Sequence, residues 1–165
     1  MTGAPVAKPA PAVNPDAVGV GIQFHGEVSG GTSGFGGAAS FGIGFNRVAI
    51  LFTPTLSLAA NNVSLFVTTL DLSVRIYLRQ RTANALVAYL RPGAGVLFGV
   101  AVGGGVGSSF GGGFNLGAGA EYLMTKNLGF TIELALRVTA LTAGSVTTTP
   151  VGLNTVGSVG IMLHQ

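Results

Sequence analysis

Apolar and polar residues alternate strictly along several stretches of the chain. In LDLSVRIYL (70–78) every even position is aliphatic, and the odd positions include Asp71 and Arg75. LGFTIELALRV (128–138) repeats this pattern, with Glu133 at an odd position. On a helix an every-second pattern leaves no polar face, whereas on a strand it gives one apolar face and one polar face. The pattern therefore predicts β-strands, although Asp71 and Arg75 also have the i,i+4 spacing of a helical ion pair.

The same alternation, interrupted by turn residues, divides the chain into eight segments. The predicted strands run over about Val18–Val28, Phe35–Phe45, Val48–Leu58, Val63–Leu78, Ala85–Val100, Ser108–Leu123, Leu128–Leu141 and Val151–Leu163. An even number of such segments with short connections is typical of transmembrane β-barrels. An open sheet would leave unpaired edges in lipid, so the sheet must close. We predict an all-β fold, an eight-stranded antiparallel up-and-down transmembrane β-barrel with short turns over residues 17–165, after a flexible Ala/Pro-rich segment over 1–16.

The composition agrees with a chain whose outer surface faces lipid. Charged residues make up 8% of the 165 residues, against roughly 25% in soluble domains, and the mean hydropathy is +0.62. Cysteine is absent, which excludes disulfides and thiolate metal sites. The net charge of +3 is too small to indicate nucleic-acid binding. The N-terminus has no apolar signal core, so we expect any signal peptide to have been removed before Met1.

The charged residues within the strands all share the parity of the polar face. They are Glu27, Asp71, Arg75, Arg91, Glu121, Glu133 and Arg137. This regularity predicts an apolar wall that faces lipid and charges that face the lumen. A soluble lipocalin-like barrel would have the reverse sidedness, and it is the alternative.

An eight-stranded barrel is just wide enough for side chains to fill its interior. Isolated buried charges are very costly, so we expect an ion-pair network, with Arg91 near Glu121 or Glu133 and with Asp71 and Arg75 engaged. Further polar residues should fill the lumen around this network: Gln23, His25, Tyr77, Tyr89 and Asn115. The network could seal the lumen or line a gated polar path. The many inward glycines could make room for large side chains or leave a thin water path.

The connections fall into two alternating sets. One set is basic and carries Arg47, Arg79, Arg81 and Lys126, and both chain termini should lie on its side. The opposite set carries no charge: residues 29–34, 59–62, 101–105 and 142–150. Three outward aromatic residues should form an interfacial belt near the basic turns: Phe45, Tyr122 and Phe130. We expect His164, next to the C-terminus, to be solvated.

One hairpin resembles a known family. GAGAEYLMTKNLGFTIEL (117–134) is similar to the hairpin of OmpA-like small outer-membrane barrels, in which a G-x-G-x-E-Y strand end precedes a short turn with Asn and a strand with an inward acid. The matching residues are Gly117, Gly119, Glu121, Tyr122, Asn127 and Glu133. The resemblance covers about twenty residues and implies an eight-stranded barrel integral to the bacterial outer membrane. It also implies that Glu121 and Glu133 join the lumen ion pairs.

The sequence shows no catalytic motif. G-x-S-x-G, H-E-x-x-H and the phosphate-binding G-x-x-x-x-G-K-[ST] are absent, and we expect no enzyme activity, no metal and no cofactor. The first hypothesis is a structural protein of the outer membrane with a plugged lumen. The alternatives are a narrow pore or channel for small or apolar solutes and, less favoured, a soluble ligand-binding barrel. The expected partners are membrane lipids, either phospholipid or lipopolysaccharide, and the expected state is a monomer.

Overall fold

The protein is a closed barrel of eight antiparallel strands. The computed structural model describes residues 18–29, 32–60, 64–102, 107–143 and 151–165. The predicted segment 1–16 and parts of the four uncharged loops lie outside these ranges. The strands are β1 (Val18–Ser29), β2 (Thr32–Phe45), β3 (Val48–Ala60), β4 (Ser64–Tyr77), β5 (Ala85–Val102), β6 (Gly107–Leu123), β7 (Leu128–Ala143) and β8 (Val151–His164).

Each strand pairs with its neighbours in sequence, and β1 pairs with β8 to close the sheet. In this closing pair Val20 lies opposite Leu163, and Gly26 lies opposite Gly157. Closure pairs every strand on both sides, which removes the open edges that an isolated sheet would present. The predicted fold class is confirmed, and the helical alternative for residues 71–75 is wrong.

Within the residues that the structure describes, no helix is long and apolar enough to cross a membrane.

Short connections join the strands at the end of the barrel where β1 begins and β8 ends, here called the short-turn end. Asn46 and Arg47 form a two-residue turn, and Asn46 takes a left-handed φ of 54°. Asparagine tolerates that conformation well, which is why it favours tight hairpins. The backbone of Arg47 accepts a hydrogen bond from the amide of Tyr77, 2.7 Å away.

The alternating sequence gives the barrel wall an apolar outer face and a polar inner face. The exterior carries large apolar side chains on every strand, with Phe114 and Ile132 73% and 61% exposed. Charged side chains lie inside, where Arg75 and Glu121 are completely buried. The predicted sidedness is confirmed, and it is the reverse of a lipocalin-like barrel.

Inward glycines make room for the large side chains of the lumen. A Cβ at Gly119 would lie 2.5 Å from the carbonyl oxygen of Ile132 and 2.6 Å from Cζ of Tyr89. A Cβ at Gly157, which is exposed on the outer wall, would meet nothing within 4 Å. The Tyr89 ring can therefore lie against the wall only because residue 119 has no side chain.

We expect Gly119→Ala and Gly157→Ala to differ in stability. Gly119→Ala should lower the free energy of unfolding by about 1–3 kcal/mol, because the added methyl overpacks the lumen. Gly157→Ala should raise it by about 0.5–1 kcal/mol, because alanine loses less backbone entropy in a strand. Denaturant titration of the two refolded variants measures the difference. Equal effects would contradict the close approach at Gly119.

Candidate functional site: the charged lumen

The lumen contains a chain of polar contacts that begins at the short-turn end with His164. The Nε2 atom of His164 lies 2.7 Å from Oε1 of Glu121, and its Nδ1 atom lies 3.4 Å from NH1 of Arg81. Because a guanidinium can only donate, Nδ1 accepts and Nε2–H donates to the carboxylate. The guanidinium of Arg81 also lies over the ring of Tyr77, 4.8 Å from its centroid.

Two expectations about this end of the barrel are wrong. His164 is buried rather than solvated, because β8 continues to this residue and its lumen parity turns the imidazole inward. Arg81 is buried rather than exposed in a basic turn, because the connection between β4 and β5 directs it onto Tyr77 and His164.

Glu121 joins this end to the middle of the lumen. Its Oε2 atom accepts a hydrogen bond from the hydroxyl of Tyr77 at 2.8 Å and lies 4.0 Å from NH1 of Arg75. NH1 of Arg75 also donates to the Tyr77 hydroxyl at 3.4 Å. The guanidinium of Arg75 lies over the ring of Tyr89, 4.2 Å from its centroid. Such a cation–π contact gains strength when water is excluded.

A second carboxylate, Glu133, repeats the arrangement in the next layer. Its Oε2 atom accepts from the hydroxyl of Tyr89 at 3.0 Å, and its Oε1 atom lies 3.1 Å from NH2 of Arg91. Arg91 therefore pairs with Glu133 rather than with Glu121. Both tyrosine–glutamate bonds join strands that are two apart in the barrel, β4 to β6 and β5 to β7. The contacts thus cross the lumen instead of following one strand pair.

The third carboxylate, Asp71, lies farther from the short-turn end. Its Oδ2 atom lies 2.7 Å from NH2 of Arg137, and its Oδ1 atom accepts from Nδ2 of Asn115 at 3.5 Å. Asp71 and Arg75 are both engaged, but with different carboxylate or guanidinium partners on other strands: Asp71 with Arg137, and Arg75 with Glu121. A buried carboxylate of this kind requires its partner, since removing one member of a buried pair leaves an uncompensated charge.

The remaining predicted lumen residues lie around this network. His25 Nε2 lies 2.8 Å from Oγ of Ser57. Glu27, which is half-buried, accepts from Nδ2 of Asn154 at 2.6 Å and joins none of the ion pairs found among the described residues. Gln23 is buried against the lumen. Asn154 and Ser57 were not singled out in the sequence, although both have the inward parity.

Small cavities remain between the layers. One of about 10 Å³ lies at the short-turn end among Leu51, Tyr77 and Met162. Another of about 20 Å³ lies in mid-lumen among Gln23, His25 and Arg91. About 10–15 Å³ is needed to hold one water molecule. The layers between the two cavities are filled by side chains, with Arg75 and Glu121 excluded from solvent.

The predicted belt residues lie on the outer wall near the short-turn end. Phe45, Tyr122 and Phe130 are each about half exposed, and Tyr122 lies opposite Phe130 in the β6–β7 pair. Among the described residues, no group of three or more His, Cys, Asp or Glu side chains could hold a metal ion.

Solved structures of outer-membrane barrels share this fold. The chain is similar to Neisserial surface protein A (TM-score 0.71, 16% identity, covering 91% of this chain and 97% of that one). It is also similar to the N-terminal barrel domain of Pseudomonas aeruginosa OprF (0.57, 16%, 89% and 97%). A third is the Yersinia pestis attachment invasion locus protein Ail, solved with the heparin analogue sucrose octasulfate (0.56, 12%, 91% and 97%).

No family model and no curated protein matches the sequence. At these identities the structural likeness establishes the fold: the chain has the architecture of the small eight-stranded outer-membrane barrels.

We expect the Asp71–Arg137 pair to contribute strongly to stability. Arg137→Met should lower the free energy of unfolding by about 3–5 kcal/mol, because Asp71 is left buried without its charged partner. The double variant Asp71→Asn/Arg137→Met should recover part of this loss. Denaturant titration of the single and double variants measures the coupling. Arg47→Met, at an exposed turn residue, is the matched control. Additive losses of stability in the double variant would contradict an interaction between Asp71 and Arg137.

Proposed function

We propose that the protein is an integral outer-membrane barrel whose closed, salt-bridged lumen gives it a structural role in membrane integrity. The observation that carries the proposal is the reversal of polarity across the wall, with apolar side chains outside and ion pairs inside. Hydrocarbon accepts such a wall because the closed sheet pairs its backbone groups and the outer side chains are apolar. The fold shared with outer-membrane barrels supports the same location.

The side-chain packing of the lumen favours a plug over an open pore. Arg75, Tyr89 and Glu121 are at most 1% exposed and lie between the two small cavities described above. A solute would have to separate the Tyr77–Glu121 and Tyr89–Glu133 bonds, which cross the lumen. Each separation would take a hydrogen bond away from a buried carboxylate and leave the tyrosine hydroxyl without its acceptor, which is costly.

The lumen offers little room for catalysis. His25 and Ser57 lie at hydrogen-bond distance, as a base and a nucleophile would. Both are buried, however, and the adjoining cavity of about 20 Å³ has no space for a substrate. We therefore interpret the pair as a structural contact across the lumen, and we propose that the protein is not an enzyme.

Lipids are the partners that the outer surface favours. At the short-turn end Arg47, Arg79 and Lys126 are exposed, and the described residues of these turns include no acid. Basic side chains at this depth would attract anionic headgroups, whether of phospholipid or of lipopolysaccharide. The half-exposed Phe45, Tyr122 and Phe130 would lie at the membrane interface. Because closure leaves no strand edge to pair with another chain, we propose a monomer. We also propose that it has no nucleic-acid partner, since the net charge of +3 is small.

A charge placed on the outer wall tests the membrane environment. Leu134, in the middle of β7, and Leu163, near the end of β8, are both exposed on the wall. Leu134→Arg should lower the free energy of unfolding in lipid vesicles by about 2–4 kcal/mol, and Leu163→Arg by at most about 1 kcal/mol, because the cost depends on depth in the bilayer. Equal, small losses, or a monodisperse wild type without detergent, would indicate a soluble barrel instead.

Planar-bilayer recording distinguishes the plug from the second candidate, a narrow pore for small solutes. We expect no stepwise current from the wild type, because the lumen layers are filled. Arg75→Ala/Tyr89→Ala should show current steps, since it removes the two largest side chains of one layer. Both proteins should first show the heat-dependent shift in migration on SDS gels that indicates a folded barrel. Steady steps from the wild type would refute the plug and favour the pore.

A further inference from the structure

A groove on the outer wall runs along β8, and we call it the wall groove. It consists of two adjoining depressions of about 410 and 710 Å³, which share Phe24 and Val159 in their linings. The first reaches Leu163 at the short-turn end, and the second reaches Gly157, farther along β8. The side chains that point outward along the groove are all apolar. The wall groove is therefore suited to hydrocarbon rather than to a polar ligand.

Glycines give the wall groove its depth at the end far from the short turns. Gly157 lies opposite Gly26 of β1 and opposite Leu134 of β7. A Cβ at Gly26 or at Gly157 would meet nothing within 4 Å, so the space outside both backbones is open. Phe24 and Leu134, which are 67% and 61% exposed, project from the strands on either side of β8. An alkyl chain therefore has room to lie along β8 between these projecting side chains.

The length of the wall groove matches one leaflet of a membrane. Leu163 and Gly157 are six residues apart in β8, which corresponds to about 20 Å at about 3.4 Å per residue. Because transmembrane strands tilt by about 45°, this length covers about 14 Å of depth. One leaflet contributes about 15 Å, half of the hydrocarbon core. An acyl chain in the groove would therefore extend from the headgroup level at the short-turn end to the middle of the bilayer.

A lysine lies beside the groove at the short-turn end. Lys126 precedes Asn127, whose Nδ2 donates to the carbonyl oxygen of His164 at 2.7 Å. The amide of His164 donates back to the carbonyl oxygen of Asn127 at 2.8 Å, and the hydroxyl of Thr125 accepts from the amide of Asn127 at 3.1 Å. These bonds hold the turn against the end of β8, where the groove ends. Lys126 is exposed and forms none of the ion pairs found among the described residues, so its ammonium group can bind an anionic headgroup.

We propose that the wall groove binds one anionic phospholipid of the leaflet at the short-turn end, with an acyl chain along β8 and the phosphate on Lys126. This site rests on the proposed membrane location, but it does not depend on whether the lumen is closed. A second copy of the barrel is the competing occupant. Two copies related by a two-fold axis along the membrane normal would bring both Lys126 ammonium groups to the same depth, where like charges repel. A phosphate at this depth attracts the ammonium group instead.

Native mass spectrometry of the full chain, refolded into detergent micelles, counts the lipids that the barrel retains. The probes are phosphatidylglycerol, which is anionic, and phosphatidylcholine, which has no net charge, with identical acyl chains. We expect one retained phosphatidylglycerol and about fivefold weaker retention of phosphatidylcholine, the factor that one basic residue contributes near anionic lipid. Equal retention of both lipids, or of neither, would overturn the site. A protein dimer in place of the lipid would assign the groove to a second copy and refute the proposal.

Two pairs of variants locate the lipid. Gly157→Leu fills the groove and should lose the retained lipid, whereas Gly112→Leu, at a glycine of the outer wall outside the groove, should keep it. Lys126→Gln should lower the retention of phosphatidylglycerol about fivefold, whereas Arg47→Gln, in another exposed turn, should leave it unchanged. Each variant is first checked for the heat-dependent shift of a folded barrel, and Lys126→Gln decides the question even where Gly157→Leu does not refold. The same result for both members of either pair would contradict the site.

A photoreactive group near the end of one acyl chain of phosphatidylglycerol gives a second readout. We expect its crosslinks at the deep end of the groove, on Gly26, Ala118 or Leu134. Crosslinks spread evenly over all eight strands would indicate ordinary lipid around the barrel and refute the groove, while leaving the membrane location intact. A wild type that is monodisperse without detergent would instead refute the membrane location itself, and the groove with it.

Discussion

The width of an eight-stranded barrel is the constraint on which the rest of the structure depends. Its interior holds side chains and little else, so charges that face inward are removed from water. The protein satisfies them by linking Glu121, Glu133 and Asp71 to arginines and tyrosines on other strands. Because these links cross the lumen, they fix the relative positions of strands that do not pair with each other. The polar interior therefore stabilises the barrel in the way that an apolar core stabilises a soluble domain.

Glycines in the wall provide the space that the buried polar side chains need. A tyrosine and an arginine cannot lie side by side in so narrow a space if every facing position carries a side chain. Gly119 faces Tyr89, and Gly95 faces Asp71. Glycine weakens a strand, but here that cost allows buried partners to reach hydrogen-bond distance. Glycine on the outer wall, as at Gly157, meets no such contact.

The sequence was sufficient to predict the fold and the sidedness, because both depend on whether a residue occupies an odd or an even position in its strand. Successive side chains of a strand point to opposite faces, so this parity decides which residues face the lumen and which face outward. Parity does not identify ion-pair partners, because these depend on strand tilt and on how far each side chain reaches. Arg91 could have met Glu121 or Glu133 on sequence grounds, and only the geometry selects Glu133. The inward orientation of His164 could have been predicted, because it lies two residues after Met162 in β8 and so shares its face of the strand; both side chains are buried. Arg81 offered no such signal, since a connection has no fixed period.

The corrections at Arg81 and His164 change the interpretation of the short-turn end. With Arg81 turned inward, this end is covered by a guanidinium over Tyr77 and an imidazole on Glu121. Val87 and Leu123 pack with Tyr77 and Tyr89 in one buried apolar cluster. A polar path through the barrel would have to pass this cluster as well as the ion pairs. Loosening a single salt bridge would therefore not open the lumen, because Arg75 and Tyr89, the largest fully buried side chains, would still fill it. These contacts support the proposal of a fixed, closed barrel over one that alternates between closed and open states.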